Sequence, residues 1–147
     1  MSQEVRYVKL ANVDPTNIYL MDLFAMYHEL MNYDYQFIKE RMVIAPDVME
    51  DLTTKAFLSI DMLVLAKVND LSVGFIATSV DDPESISEFF VSAEFRRRGI
   101  GRKLFTELKS MVKGPLKVNS MYGNEGSFKF YQSLGFIPIS IGMTEPV

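Results

Sequence analysis

Strand-like and helix-like segments alternate along this sequence, and their order restricts the possible folds more than any other feature. Apolar residues with a period of two predict strands, and apolar residues three and four apart predict helices. The predicted strands are Val5–Leu10, Met62–Val68, Ser72–Val80, Ser85–Val91, Leu116–Met121 and Phe136–Gly142. The predicted helices are Ile18–Tyr33, Asp47–Leu58, Ile100–Val112 and Asn124–Leu134. This order favours an α/β or α+β class, in which helices cover a mixed sheet.

Length and charge exclude several classes of protein. A chain of 147 residues is long enough to bury a single core, so we expect residues 1–147 to form one domain. The net charge of −4 argues against general nucleic-acid binding, which depends on a cationic field. Any basic site must therefore be local, and we expect no nucleic-acid partner.

Residue usage narrows the chemistry further. The chain has no cysteine, so disulfides, zinc-thiolate sites and a cysteine nucleophile are excluded. Its ten methionines are scattered, which is typical of core residues, and we expect no metal site. No apolar run has the length of a signal peptide core or of a membrane helix, so we expect a cytoplasmic protein without a membrane partner.

Two polar segments separate the central strands. The residues "NDLS" between the second and third strands predict a hairpin turn. The acidic segment Asp81–Ser85, "DDPES", has the composition of a loop.

The segment "RRRGIG", Arg96 to Gly101, lies between a predicted strand and a predicted helix. The first turn of a helix presents unpaired N–H groups and the positive end of the helix dipole, so this position suits an anion. Gly99 and Gly101 allow close backbone approach, and arginines supply charge at positions 96, 97, 98 and 102. The alternative is a solvated turn in which the glycines serve only as caps. The segment is neither a Walker loop nor a complete dinucleotide-binding motif.

In its context this segment resembles the acyl-CoA-binding motif of the GNAT superfamily of N-acetyltransferases, Gln/Arg-x-x-Gly-x-Gly/Ala at the start of a helix after the fourth strand. The resemblance implies that the loop holds the pyrophosphate of coenzyme A. It also implies that Val91, in the fourth strand, offers backbone groups to the pantetheine and the thioester. The cofactor-binding residues expected from this motif are Val91, Arg96, Arg97, Arg98, Gly99, Ile100, Gly101 and Arg102.

A second motif supports the same resemblance independently. "NEGSFKFYQSLGF" is similar to the family's Asn-x-x-Ala/Ser-x-x-x-Tyr-x-x-x-Gly-Phe, and its spacing places Asn124, Ser127 and Tyr131 on one helix face. Taken singly, Asn124 could be an N-cap, Gly135 a helix C-cap and Tyr131 a half-buried aromatic residue. Together they imply further contacts with the cofactor and the family's mostly antiparallel sheet of six to seven strands, with helices on both faces and a splay between strands 4 and 5.

The resemblance implies transfer of an acetyl group from acetyl-CoA to a primary amine by direct attack, through a tetrahedral intermediate. Tyr131 is the expected general acid for the thiolate, since an unperturbed phenol has a pKa near 10 and remains protonated. Glu88 is a candidate base, although it could equally be a solvated or ion-paired strand residue. A non-catalytic acyl-CoA-binding or regulatory module of the same fold is the alternative function.

The acceptor pocket of the family is formed by the first two helices and the last strands. In this sequence those regions contain His28 and the side chains of Tyr27, Tyr33, Asp34, Tyr35 and Glu40. Only eleven residues follow Phe136, too few for a full seventh strand. Either that strand is very short or a neighbouring chain completes the edge, so we expect a homodimer as one possible assembly.

Overall fold

The computed structural model describes residues 4–13, 23, 26, 29–33, 35, 36, 55, 58–120 and 123–145. Its strands are β1 (Val5–Leu10), β2 (Ile60–Val68), β3 (Leu71–Ser79), β4 (Asp82–Val91) and β5 (Lys117–Val118). Two complete helices are α1 (Ile100–Lys109) and α2 (Glu125–Ser133), and a short 3-10 helix covers Ala93–Phe95. Residues 29–33 are also helical. Most of the predicted helices Ile18–Tyr33 and Asp47–Leu58, including Asp47 itself, lies outside the described residues.

The five strands form one sheet in the order β1-β2-β3-β4-β5. Neighbouring strands from β1 to β4 run antiparallel, whereas β5 runs parallel to β4. The prediction of a mixed, mostly antiparallel sheet is therefore confirmed.

The alternation of side chains along β2 divides the core into two layers. Leu63 and Leu65 pack on one face of the sheet with the helical residue Leu30. Val64 and Ala66 point to the opposite face and pack with Leu104 of α1. Because successive strand residues face opposite sides, one apolar strand serves both layers, and helices cover both faces as predicted.

Two hairpins with short turns connect β2 to β3 and β3 to β4. Asn69 and Asp70 form the turn between β2 and β3, and Asn69 adopts a left-handed φ of 55°, which asparagine tolerates well. The next hairpin shows that the loop predicted for Asp81–Ser85 was wrong. Asp82 already pairs with Ser79, so the polar residues after it belong to β4. Their composition reflects exposure at the end of the sheet rather than the absence of a strand.

The predicted strand count was also wrong for the part of the chain that the structure describes. Residues 136–145 form no strand, and among the described residues 116–120 of the predicted strand Leu116–Met121 only the two residues of β5 are extended in the sheet. Side chains along this segment are largely exposed: Ile137 by 79%, Ile139 by 87%, Ile141 by 71% and Met143 by 92%. Apolar alternation alone does not make a strand, because each strand also needs a partner for its backbone groups.

Candidate active site

A gap opens between β4 and β5. The two strands pair only through Ser85 with Lys117 and Ile86 with Val118. Beyond Ile86, β4 continues to Val91 without a described strand neighbour on that side. The gap belongs to a cleft of about 820 Å³. This is the splay between strands 4 and 5 that the sequence resemblance implied.

The backbone of Val91 faces this gap. Ser92 N–H donates to the Val73 carbonyl at 2.8 Å, so Ser92 lies opposite Val73 in a hydrogen-bonded pair. Hydrogen-bonded and non-hydrogen-bonded pairs alternate along antiparallel strands. Val91, which pairs with Gly74, is therefore in a non-hydrogen-bonded pair, and its N–H and carbonyl point away from β3. The same alternation directs the backbone groups of Phe89 into the gap.

Strand β4 contains a bulge where it borders the cleft. Ala77 pairs with Glu88, whereas Thr78 pairs with Ile86, so Ser87 is an extra residue. Bulges reorient the side chains that follow them. By the alternation that follows the bulge, Glu88 shares the sheet face of Phe90, opposite Val91, and it lines the cleft.

The loop before α1 has an unusual backbone. Arg97 has a left-handed φ of 61° and Gly99, the N-cap of α1, has a φ of 80°. Left-handed residues in a turn direct successive N–H groups towards one point, where they form an anion-binding concavity. Gly99, Ile100 and Gly101 line the cleft, so the free amides of the first helical turn border it. This backbone geometry is typical of anion-binding loops.

The four arginines of the loop are not equivalent. Arg96, Arg97 and Arg102 line the cleft, and Arg102 also donates to Ser133 Oγ at 3.3 Å, which connects α1 to α2. Arg98 does not line it. Its guanidinium lies 5.0 Å from the ring centroid of Phe95, so the structure does not bring this predicted residue to the cleft.

The second glycine of the loop allows α1 to approach α2. A Cβ atom at Gly101 would lie 3.2 Å from Cζ of Phe130 on α2, closer than most real contacts. Phe130 in turn packs edge-to-face on Phe89 of β4, with ring centroids 5.5 Å apart. Gly101 therefore has a packing role as well as a place beside the cleft.

Tyr131 is held by the end of α2. Phe136 N–H donates to the Tyr131 carbonyl at 3.0 Å and Gly135 N–H donates to the Gln132 carbonyl at 3.0 Å. These two bonds, with Gly135 at a φ of 98°, form a Schellman motif. The ring of Tyr131 also lies 6.1 Å from that of Phe89. The cap and the ring contacts together present Tyr131 to the cleft.

The start of α2 is fixed by Asn124. Its Oδ1 accepts a hydrogen bond from the Ser127 N–H at 3.1 Å, and only 6% of the residue is exposed to solvent. Asn124 is thus an N-cap, the role that its residue type favours. Both Asn124 and Ser127 line the cleft, so the predicted polar face of α2 is assembled there.

One buried polar atom that lines the cleft lacks a hydrogen-bond partner among the described residues. Ser120 Oγ, after the end of β5, is buried and has no hydrogen-bond partner among the described residues. Buried hydroxyls are nearly always paired, so this one is available to a ligand that enters the cleft. The amide-rich pantetheine arm of coenzyme A fits such a position.

Other site types find no support in the described part of the chain. No group of three or more histidine, cysteine or acidic side chains there is arranged to hold a metal ion. Among those same residues, no helix combines the length and the apolar character needed to cross a membrane.

Comparison with known families decides the identity of the fold. The family described as "Acetyltransferase (GNAT) domain" matches residues 30–143. This chain belongs to the GNAT acetyltransferase family. No curated protein sequence matches it.

Solved GNAT structures agree with the architecture. The aminoglycoside N-acetyltransferase AAC(6')-Iy in complex with CoA is 13% identical, with a TM-score of 0.67 over 100% of this chain and 97% of that chain. An aminoglycoside acetyltransferase from an uncultured soil metagenomic sample is 19% identical, with a TM-score of 0.64 over 98% and 99%. A GNAT-family acetyltransferase from Streptococcus pneumoniae is 22% identical, with a TM-score of 0.61 over 97% of each chain. At these identities the likeness concerns the fold.

The acceptor side of this GNAT domain is only partly described. Tyr33 and Leu30 line the cleft, whereas Tyr35 is helical but does not line it. The other predicted acceptor residues, Tyr27, His28, Asp34 and Glu40, lie outside the described residues. Sequence reasoning missed three residues that line the cleft, Ser120, Phe89 and Phe130. The alternation of β4 could have indicated Phe89 and the position of α2 could have indicated Phe130, whereas no sequence pattern indicates Ser120.

Proposed function

We propose that residues 1–147 form one acetyl-CoA-dependent N-acetyltransferase domain. The observation that carries this proposal is the gap between β4 and β5, with the Val91 backbone facing it and the left-handed arginine loop at its end. A long thioester with a pyrophosphate requires both features, a narrow channel and an anion site. Membership of the GNAT family supports the same assignment.

Charge is separated along the cleft. Arg96, Arg97 and Arg102 line it beyond the C-terminal end of β4, whereas Glu88 and Asp82 line it along the strand. The cationic end suits the phosphates of acetyl-CoA, and the acidic part suits an acceptor that carries positive charge. We therefore propose a cationic amine as acceptor, the class to which the substrates of aminoglycoside acetyltransferases belong.

The residues of the chain would divide the reaction between them. Glu88 removes a proton from the ammonium, directly or through water, and the neutral nitrogen attacks the thioester carbonyl carbon. Val91 N–H donates to the developing oxyanion. When the C–S bond breaks, Tyr131 gives its proton to the thiolate, and the second proton that the nitrogen loses returns to the Tyr131 phenolate, directly or through water. A C–N bond replaces the C–S bond, and the products are an amide and free coenzyme A.

Two measurements test the proposal. Acetyl-CoA should raise the melting temperature, since a ligand at 100 times its Kd adds about 2.7 kcal/mol to the free energy of unfolding. Purified protein with acetyl-CoA and a panel of neamine, spermidine and a lysine peptide should then release free thiol above background. No thermal shift would exclude the cofactor. A thermal shift without thiol release for any amine would favour the non-catalytic acyl-CoA-binding module.

We also keep the homodimer as a proposal. The exposed side chains of Ile137, Ile139, Ile141 and Met143 lie at every second position, and Pro138 lies between the first two. When this segment pairs as a strand, the missing N–H of Pro138 removes a donor from one backbone edge and leaves the other edge complete. No charged residue lies between 136 and 144, so a second copy of this segment could pair with it without burying a charge. Sedimentation velocity should show a dimer that Ile139→Lys dissociates. A wild-type monomer at high concentration would contradict the proposal.

A further inference from the structure

The guanidinium of Arg96 is engaged by the protein itself. Its Nε donates to the Val91 carbonyl at 2.8 Å. Its Cζ lies 5.6 Å from the ring centroid of Tyr33 and 5.9 Å from that of Phe90. One side chain thus contacts the end of β4 and the helical residues 29–33 on the acceptor side of the cleft.

The bond to Val91 affects the group closest to the expected chemistry. Both backbone groups of Val91 point into the gap, and Arg96 occupies the carbonyl. The N–H of the same residue is then left as the donor, and rotation of the last peptide of β4 is restricted. A donor that must meet a developing oxyanion is effective only when it is held in place before the reaction.

The other cations of the loop are better placed to bind phosphate. Arg97 makes no hydrogen bond, ion pair or ring contact with any described residue, and its own backbone is left-handed. Arg102 lies in the first turn of α1, where helix N–H groups are free. Arg96, in contrast, holds its guanidinium near two rings and donates from Nε to a carbonyl, a combination that a lysine cannot reproduce.

We infer that Arg96 is a positioning residue that orients Val91 for acetyl transfer and couples β4 to Tyr33, rather than a ligand of the pyrophosphate. This inference rests on the proposed acetyltransferase function and goes beyond it, because the sequence motif assigned Arg96 to cofactor binding. It predicts that the shape of the side chain matters more than its charge.

Arg96→Lys and Arg96→Gln separate the two roles. Calorimetric titration should give a Kd for coenzyme A within about threefold of the wild type for both variants. Both should lose turnover by at least about tenfold at saturating acetyl-CoA, since small misplacements of a reacting group are costly. Turnover is measured as thiol release with the best acceptor among neamine, spermidine and the lysine peptide. Arg6→Gln removes an exposed positive charge on β1, as Arg96→Gln does in the loop, and this control should change neither quantity.

A second position guards against a simple folding defect. Tyr33 is 38% exposed, so its variants should fold. Tyr33→Phe keeps the ring under Arg96 and should retain turnover, whereas Tyr33→Leu should lower it without weakening coenzyme A binding.

The opposite pattern would overturn the inference. If Arg96→Gln weakens coenzyme A binding by about tenfold or more and Arg96→Lys restores it, the charge binds phosphate. Equal turnover of both variants and the wild type would also overturn it. If wild-type protein binds no coenzyme A, the proposed function itself fails, and that result is distinct from either outcome.

Discussion

Phe136 donates its backbone N–H to the carbonyl of Tyr131 at 3.0 Å, and the rings of the same two residues lie 5.7 Å apart. This double contact closes the end of α2 just after the candidate acid. It explains physically why Gly135 and Phe136 follow Tyr131 in the motif. The glycine permits the left-handed turn, and the phenylalanine packs on the tyrosine that the turn brings back.

Gly135→Ala should therefore destabilise the protein. An alanine at a φ of 98° is strained, and a left-handed residue costs about 1–2 kcal/mol. Urea unfolding should show a loss of that size in the free energy of unfolding. Gly142→Ala is the matched control, since Gly142 has no neighbour within 4 Å and no positive φ. Equal losses for both variants would argue against the cap.

Tyr131→Phe should remove turnover while it preserves the cleft. The ring contacts with Phe89 and Phe136 do not need the hydroxyl, so the fold and the Kd for coenzyme A should remain unchanged. A general acid contributes about 100-fold or more, and thiol release should fall by that factor. Wild-type turnover in the variant would remove the acid role from Tyr131.

Arg97 tests the backbone of the loop separately from its charge. Arg97→Gly and Arg97→Ala lose the same guanidinium, but only glycine adopts a φ of 61° without strain. Thermal unfolding should therefore find the glycine variant more stable, by about 1 kcal/mol. Both should weaken coenzyme A binding, because both lack the charge. An alanine variant as stable as the glycine variant would contradict the left-handed conformation.

Glu107 on α1 predicts a pH dependence of stability. Hydrogen bonds from Lys103 and Lys9, each at 3.1 Å, lower the pKa of its carboxyl below 4.5. Burial of the phenol raises the pKa of Tyr7, and the negative charge of the Glu107 carboxylate raises it further. Because the unfolded state binds the proton more readily than the folded state, the stabilisation is complete above pH 4.5 and is lost as the pH falls through the lower folded pKa.

Glu107→Gln should accordingly be less stable than the wild type at about pH 7, and the difference should shrink towards about pH 3. Lys9 and Lys103 are about half exposed, so the effect should be small and should decrease with salt. Glu145→Gln, which removes an exposed carboxylate, is the control. A difference that is independent of pH would show that the amide acts through packing instead.

Local patterns predicted most of the described fold. The hairpin of β2 and β3 follows from period-two alternation around Asn69, and α1 begins where Gly99 can adopt its left-handed cap. Phe136–Gly142 has the same alternation but forms no strand in the described structure. Whether such a segment joins a sheet depends on a neighbouring edge, which is a long-range property.

The candidate site shows the same limit. The family resemblance implied that Val91, Tyr131 and the arginine loop share one site, and all three line the same cleft. It could not distinguish Arg96 from Arg98, because adjacent identical residues differ only in what the folded chain places beside them. Ser120 carried no motif at all, and only its buried, unpaired hydroxyl identifies it.

The distance from Val91 N to the thioester oxygen in a crystal structure with acetyl-CoA decides whether acetyl transfer takes place in the gap between β4 and β5. We expect a hydrogen bond of about 2.9 Å, with the pyrophosphate on the amides of residues 97–101. A distance beyond about 3.6 Å, or acetyl-CoA bound outside the gap between β4 and β5, would contradict it.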